Sequence, residues 1–215
     1  MILGRCRYPA KCGAMRRMDR MSKIELSAEC ALIAVLLYCF WSPELTAAFV
    51  LSALTHELGH ICAILLTGGR ISAVRAELRG LCISYSTGGG NLQNTVIAAA
   101  GPLAGFVGAV LFSIAGERLN WHFMDLAAGV GLLLTVFNLL PVLPLDGGMI
   151  MKYALMSLLG CERGAALCSK ISAVGAGVIL ALGMFMTAKG GGIALLVAAI
   201  WLLLSQDEEN YCKIA

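Results

Sequence analysis

Residues 54–66 read LTHELGHICAILL: two histidines and a glutamate inside a run that is otherwise apolar enough to lie in a bilayer. Ionisable groups are expensive at membrane depth, so finding them there points to a use. His56 and His60 are four residues apart, which on a helix places them on one face, one turn above the other. Glu57 falls on an adjoining part of that surface. This is the H-E-x-x-H pattern, in which two imidazoles hold zinc and the glutamate acts as base toward the water that the metal activates. With three fixed positions the pattern also recurs by chance. In hydrocarbon, however, three polar groups on adjacent turns are costly unless paired, hydrated or metal-bound, and metal coordination explains all three together.

The surrounding composition is that of a membrane protein. Of 215 residues, 59% are apolar and 13% are charged, against about half and about a quarter in soluble domains. Apolar runs cover 26–41, 46–67, 94–115, 126–140, 166–187 and 191–204. A helix needs about 20 residues to cross the hydrocarbon core, so the shorter first, fourth and sixth runs require tilted or interrupted helices. The expected fold is an all-α polytopic membrane protein of about six transmembrane helices. Nine cysteines without a C-x-x-C pair argue against a disulfide framework or a cysteine zinc site. The net charge of +3 identifies no partner, and no nucleic-acid partner is expected.

Basic residues are unevenly spread. Seven of the sixteen (Arg5, Arg7, Lys11, Arg16, Arg17, Arg20, Lys23) precede residue 24. With the N-terminus inside, the inside segments 1–25, 68–93, 141–165 and the tail, with Lys170 at the mouth of the fifth run, collect fourteen. The outside loops keep only Arg118 and Lys189. This asymmetry is that of the positive-inside rule, with both termini cytoplasmic in the cell membrane. It divides the chain into a basic cytoplasmic leader (1–25), a six-span membrane domain (26–205) with its catalytic core at about 46–160, and a cytoplasmic tail (206–215). The leader orients the chain and contacts anionic lipid. A cleaved signal peptide is the alternative for the beginning, and the second apolar run that follows at once argues against it.

A catalytic zinc takes three protein ligands and keeps a fourth position open. His122, in RLNWHFMD, is one candidate, but the loop charges place it at the outer membrane edge, where beside Trp121 it reads as interfacial. The better candidate lies in FNLLPVLPLDGGMIMKYAL (137–155). There an apolar run stops at Asn138, passes Pro141 and Pro144, and reaches Asp146 ahead of Gly147 and Gly148. Prolines break a helix and glycines allow close approach. Irregular backbone at membrane depth is tolerated where it is buried in protein or lines a wet cavity. An ordinary cytoplasmic turn is the other reading, since PLDGG is also good turn chemistry.

The paired motifs, with AAAGPLAGF (98–106) between them, resemble the site-2 protease family of intramembrane zinc metalloproteases over residues of about 46 to 160. The wording FNLLPVLPLDGG is most similar to the branch that includes the sporulation protease acting on a membrane-bound sigma-factor precursor. The resemblance implies that His56, His60 and Asp146 ligate one Zn2+ per chain and that Glu57 is the catalytic base. It implies a substrate-holding role for Asn138 near the metal. It also implies a small membrane-associated β-hairpin at 68–90, where an exposed edge can take an unwound substrate by strand addition. Alternation there sets Ile71, Ala73 and Arg75 against Ser72, Val74 and Ala76. Other branches carry an asparagine after the Gly-Pro, where this chain has Ala104 and Gly105. Neither a PDZ insertion nor a nucleotide-binding CBS module is expected.

The implied activity is zinc-dependent endopeptidase cleavage of a transmembrane or membrane-associated protein near the cytoplasmic face, the substrate being a pro-sigma factor or another regulatory protein. Control would come from regulatory membrane proteins, and the lipid bilayer is the other expected partner. Two rivals stand beside it. A non-proteolytic metal-binding transporter would use the same residues to bind an ion or relay protons, although no internal repeat with matched broken helices is visible. An inactive membrane scaffold would keep the fold without the chemistry.

Overall fold

The helix that carries His56 begins where local chemistry says it should. In the computed structural model, which describes residues 24–26, 42–77, 80–190 and 193–206, helix α1 spans Pro43–Leu66. Ser42 caps it, its Oγ accepting from the Leu45 N–H at 3.2 Å. Pro43 opens the first turn and Glu44 follows, both suited to a helix N-terminus. Gly68 ends it with φ of 77°, and the Gly69 N–H returns to the Ile64 carbonyl at 2.8 Å, a glycine-terminated helix end.

The chain then forms strands β2 (Arg70–Glu77) and β3 (Gly80–Ser86), paired antiparallel as the expected hairpin. Two features depart from expectation. A register shift between Ile71 and Ala73 interrupts the even alternation read along 71–76, because a bulge inserts one unpaired residue. A third strand, β1 (Ile24–Leu26), pairs parallel with β2, giving the order β1-β2-β3. The end of the leader is therefore part of the sheet, and three residues are too few for periodicity to reveal a strand. Tyr85 ties the sheet to the helices: its hydroxyl donates to Asn94 Oδ1 at 3.4 Å and also meets Tyr153. Burial pushes this phenol above its usual range, and the Tyr153 contact draws it partly back.

Helices α2 (Gly90–Leu119), α3 (His122–Asn138), α4 (Asp146–Leu159), α5 (Cys161–Ala188) and α6 (Ala194–Gln206) follow. Among the described residues α1, α2 and α5 are long and apolar enough to cross a membrane, and α3 is apolar but shorter. Of the first expected run (26–41), residues 27–41 lie outside the described residues, as do 1–23 of the leader (1–25) and 207–215 of the tail (206–215). Segment 141–165, read as inside, holds α4 and the start of α5. α3 stops at Asn138, where the sequence places the break, because Pro141 and Pro144 cannot continue it.

α2 is the central helix, lying against α1, α3 and α4, while α5 packs on α4 and α6 on α5. Its contact face is made of small residues. Gly101, Gly105, Gly108 and Ala109 are buried, whereas Leu103, Val107, Val110 and Leu111 point outward. α1 follows the same plan, with Ala48, Ser52, His56 and Ala63 inside and Val50, Leu54, Leu58 and Leu65 outside. Large apolar groups outside and small or polar groups between helices is how bundles pack in lipid, where close backbone approach replaces water exclusion as the drive.

Candidate metal centre

His56 and His60 stand one turn apart on α1, their rings edge to face with centroids 5.0 Å apart. Asp146 arrives from the first residue of α4, eighty-six positions further along the chain from His60. Its Oδ2 lies 2.9 Å from His56 Nε2 and 3.3 Å from His60 Nε2, and the two nitrogens are 3.2 Å apart. Their side chains are 7%, 13% and 19% exposed for His56, His60 and Asp146.

This triangle fits a zinc ion. Four ligands at about 2.0–2.1 Å in a tetrahedron stand about 3.3 Å from one another, close to all three edges of the triangle. The protonation pattern agrees. His60 Nδ1 lies 2.8 Å from the Ile97 carbonyl, which only accepts, so that nitrogen carries the proton. The lone pair of neutral His60 is thereby left on Nε2, facing His56 and Asp146. A ring nitrogen fixed by a main-chain carbonyl behind the ligand nitrogen is the usual support of a metal-binding histidine.

Local sequence explains how each group is held. A methyl on Gly101 would run into the His60 ring, and one on Gly59 would meet the Ala100 backbone and Ala104; glycine at both lets α1 and α2 approach at the histidines. Between α3 and α4 the backbone is irregular, yet its polar groups are served internally. The N–H groups of Leu139, Leu140, Val142 and Leu145 bond carbonyls within 135–142, and the Leu143 N–H donates to Ser172 Oγ at 2.8 Å. Val142, Leu143 and Leu145 are buried, Val142 and Leu145 in a cluster with Ala176 and Leu202. Such a break survives at membrane depth only with this satisfaction. Gly147 and Gly148 pack the first turn of α4 onto the carbonyls of Leu139, Leu140 and Val142, where a methyl has no room. Asp146 also sits at a helix N-terminus, which favours a carboxylate.

Glu57 is half-buried on α1, between the two histidines in sequence. Asn138 is the last residue of α3, half-buried where the break begins. His122 is the exposed first residue of α3 and is not in the cluster; among the described residues the group able to hold a metal is His56, His60 and Asp146. Sequence reasoning did not single out Ile97. Its role is carried by a main-chain oxygen, which no side-chain pattern reports.

Residues 116–186 match the model of peptidase family M50. That stretch, about a third of the chain, is therefore similar to the M50 peptidases. The matched stretch includes Asn138 and Asp146, while the H-E-x-x-H lies ahead of it. Rip3 of Mycobacterium tuberculosis, whose name describes a zinc metalloprotease, is 33% identical over 167 residues, 70% of this chain and 40% of that protein. A Synechocystis protein likewise named for a zinc metalloprotease, sll0528, is 29% identical over 140 residues, 61% of this chain and 37% of that protein. The chain thus spans about two-fifths of these relatives' length. In structure it is similar to the site-2 protease from Methanocaldococcus jannaschii, with a TM-score of 0.70 at 21% identity, covering 89% of this chain and 92% of that one. The chain therefore has the site-2 protease fold, mostly helical with a small sheet.

Proposed function

We propose that this chain is an intramembrane zinc metalloprotease that hydrolyses peptide bonds of membrane-embedded or membrane-associated proteins near the cytoplasmic face. The observation that carries the proposal is the ligand triangle: two histidine nitrogens and a carboxylate oxygen, from distant parts of the chain, at separations near the edges of a tetrahedral zinc site. His56, His60 and Asp146 hold one Zn2+. When bound, zinc supplies Lewis acidity, making water a nucleophile at neutral pH and polarising a carbonyl. Glu57 takes the proton from the attacking water and returns one to the leaving amine.

Asn138, at the start of the irregular segment, binds unwound substrate backbone beside the metal. An intact substrate helix hides its carbonyls, so the substrate must open before cleavage. β3 offers a strand edge for it, since β2 is paired on both sides. The division into a leader (1–25), a membrane domain (26–205) and a tail (206–215), with both termini cytoplasmic, rests on the loop charges. Pairing of 24–26 with β2 supports it, because strands in one sheet lie on one side of the membrane. Within this activity, the FNLLPVLPLDGG wording makes a membrane-tethered sigma-factor precursor the first substrate class to try, with membrane proteins as regulators.

The test is zinc per chain and cleavage of a reconstituted transmembrane substrate. Wild type should hold about one zinc, His60→Ala and Asp146→Asn should lose it, and Glu57→Gln should keep it while losing cleavage. A folded wild type without zinc, or Asp146→Asn with full zinc, would overturn the reading.

A further inference from the structure

The two histidines of the centre are supported unequally. His60 has the Ile97 carbonyl behind its ligand nitrogen. His56 is 6% exposed, its Nε2 faces Asp146, and its Nδ1 is buried with no hydrogen-bond partner among the described residues. For Nε2 to offer a lone pair from the neutral ring, Nδ1 must carry the proton, and a buried N–H without an acceptor is costly.

What surrounds that nitrogen is specific. It faces α2 at Gly105, and across Gly105 stands Thr135 of α3. A methyl built on Gly105 would lie 2.7 Å from Thr135 Oγ1 and 3.4 Å from His56 Nδ1, so both polar atoms border one small space. Thr135 is 4% exposed, and its hydroxyl donates to the Gly131 carbonyl at 2.8 Å. Its own proton is thereby committed and its oxygen is left as an acceptor. One water in that space, or a shift of the ring toward α3, would link His56 Nδ1–H to Thr135 Oγ1.

We infer that Thr135 is a positioning residue of the metal centre, its hydroxyl accepting from His56 Nδ1–H across the opening left by Gly105. The chain Gly131 carbonyl, Thr135 hydroxyl, His56 ring then does for His56 what the Ile97 carbonyl does for His60. It fixes the tautomer and the ring plane, and it couples α3 to the centre although α3 supplies no ligand. A larger residue at 105 would cut the connection. The inference rests on the zinc reading above.

Zinc affinity of the full chain in detergent, read by chelator competition, tests it with Thr135→Val and Thr135→Ser. Valine keeps the shape and removes the acceptor; serine keeps the acceptor and removes the methyl. Thr135→Val should bind zinc about 10- to 100-fold more weakly, the usual effect of losing a partner behind a metal ligand. Thr135→Ser should stay close to wild type, and the metal-free melting of Thr135→Val should be unchanged. Wild-type affinity in Thr135→Val, or equal loss in Thr135→Ser, would overturn the inference while the zinc reading stands. A wild type that binds no zinc removes both. Should Thr135→Val fail to fold, imidazole NMR of the wild-type zinc form decides. A protected His56 Nδ1 proton with cross-relaxation to Thr135 supports the bond, and an unprotonated or freely exchanging Nδ1 refutes it.

Discussion

Gly101→Ala should strip zinc from the centre without replacing a ligand. The added methyl points at the His60 imidazole, and Nε2, Cε1 and Cδ2 are its three nearest atoms. Ordinary non-bonded contact begins at about 3.5 Å, so the ring must retreat by more than about 1 Å. A zinc ligand tolerates about 0.2 Å. The ring is also tethered through Nδ1 to the Ile97 carbonyl at 2.8 Å, one turn before Gly101 on the same helix, so retreat stretches that bond as well. We expect zinc affinity to fall by at least about 100-fold, or about 2.7 kcal/mol, with a further overpacking cost of about 1–3 kcal/mol in stability. Chelator competition reads the first and thermal melting in detergent the second. Gly129→Ala is the control: nothing lies within 4 Å of its methyl, so zinc should be unchanged and the helix about 0.5–1 kcal/mol more stable. Wild-type zinc affinity in a folded Gly101→Ala protein would refute the reasoning, since the clash follows from the α1–α2 contact itself.

Other outcomes follow from the same geometry. Glu57→Gln should retain zinc but cleave a reconstituted substrate at least about 100-fold more slowly; full activity would remove Glu57 from the chemistry. Zinc affinity should fall on acidification, because protons compete with the metal for its ligand atoms, and a pH-independent affinity would argue against this ligand set. Ser172→Ala removes the partner of the Leu143 N–H and should cost about 1–3 kcal/mol in thermal stability; a neutral effect would mean that the break does not need that anchor.

Much of this was legible in the chain because its signals are local. The histidine spacing is a property of one helix turn, and polar residues in an apolar run mark themselves. Asp146 was readable because two prolines and two glycines announce a break next to a carboxylate. What stayed hidden depends on packing across elements. Ile97 and Thr135 look like ordinary helix residues, and they matter because α2 and α3 place them behind the histidines. Strand β1 was invisible because IEL has no period to detect. The bulge near Ser72 could not be seen because register belongs to two strands at once.

The close fit of α2 against α1 has a consequence for assembly. Along that seam Gly101 faces His60, Gly105 faces His56 and Gly108 faces Thr55, so each groove admits one particular neighbour. Sliding one helix by a single residue displaces a side chain about 1.5 Å along the axis and turns it about 100° around it. That would take both ring nitrogens away from Asp146. Only one docking of the two helices can present a complete ligand set. On the zinc reading, ion binding favours the correctly seated bundle by mass action, because a misaligned one lacks the complete ligand set.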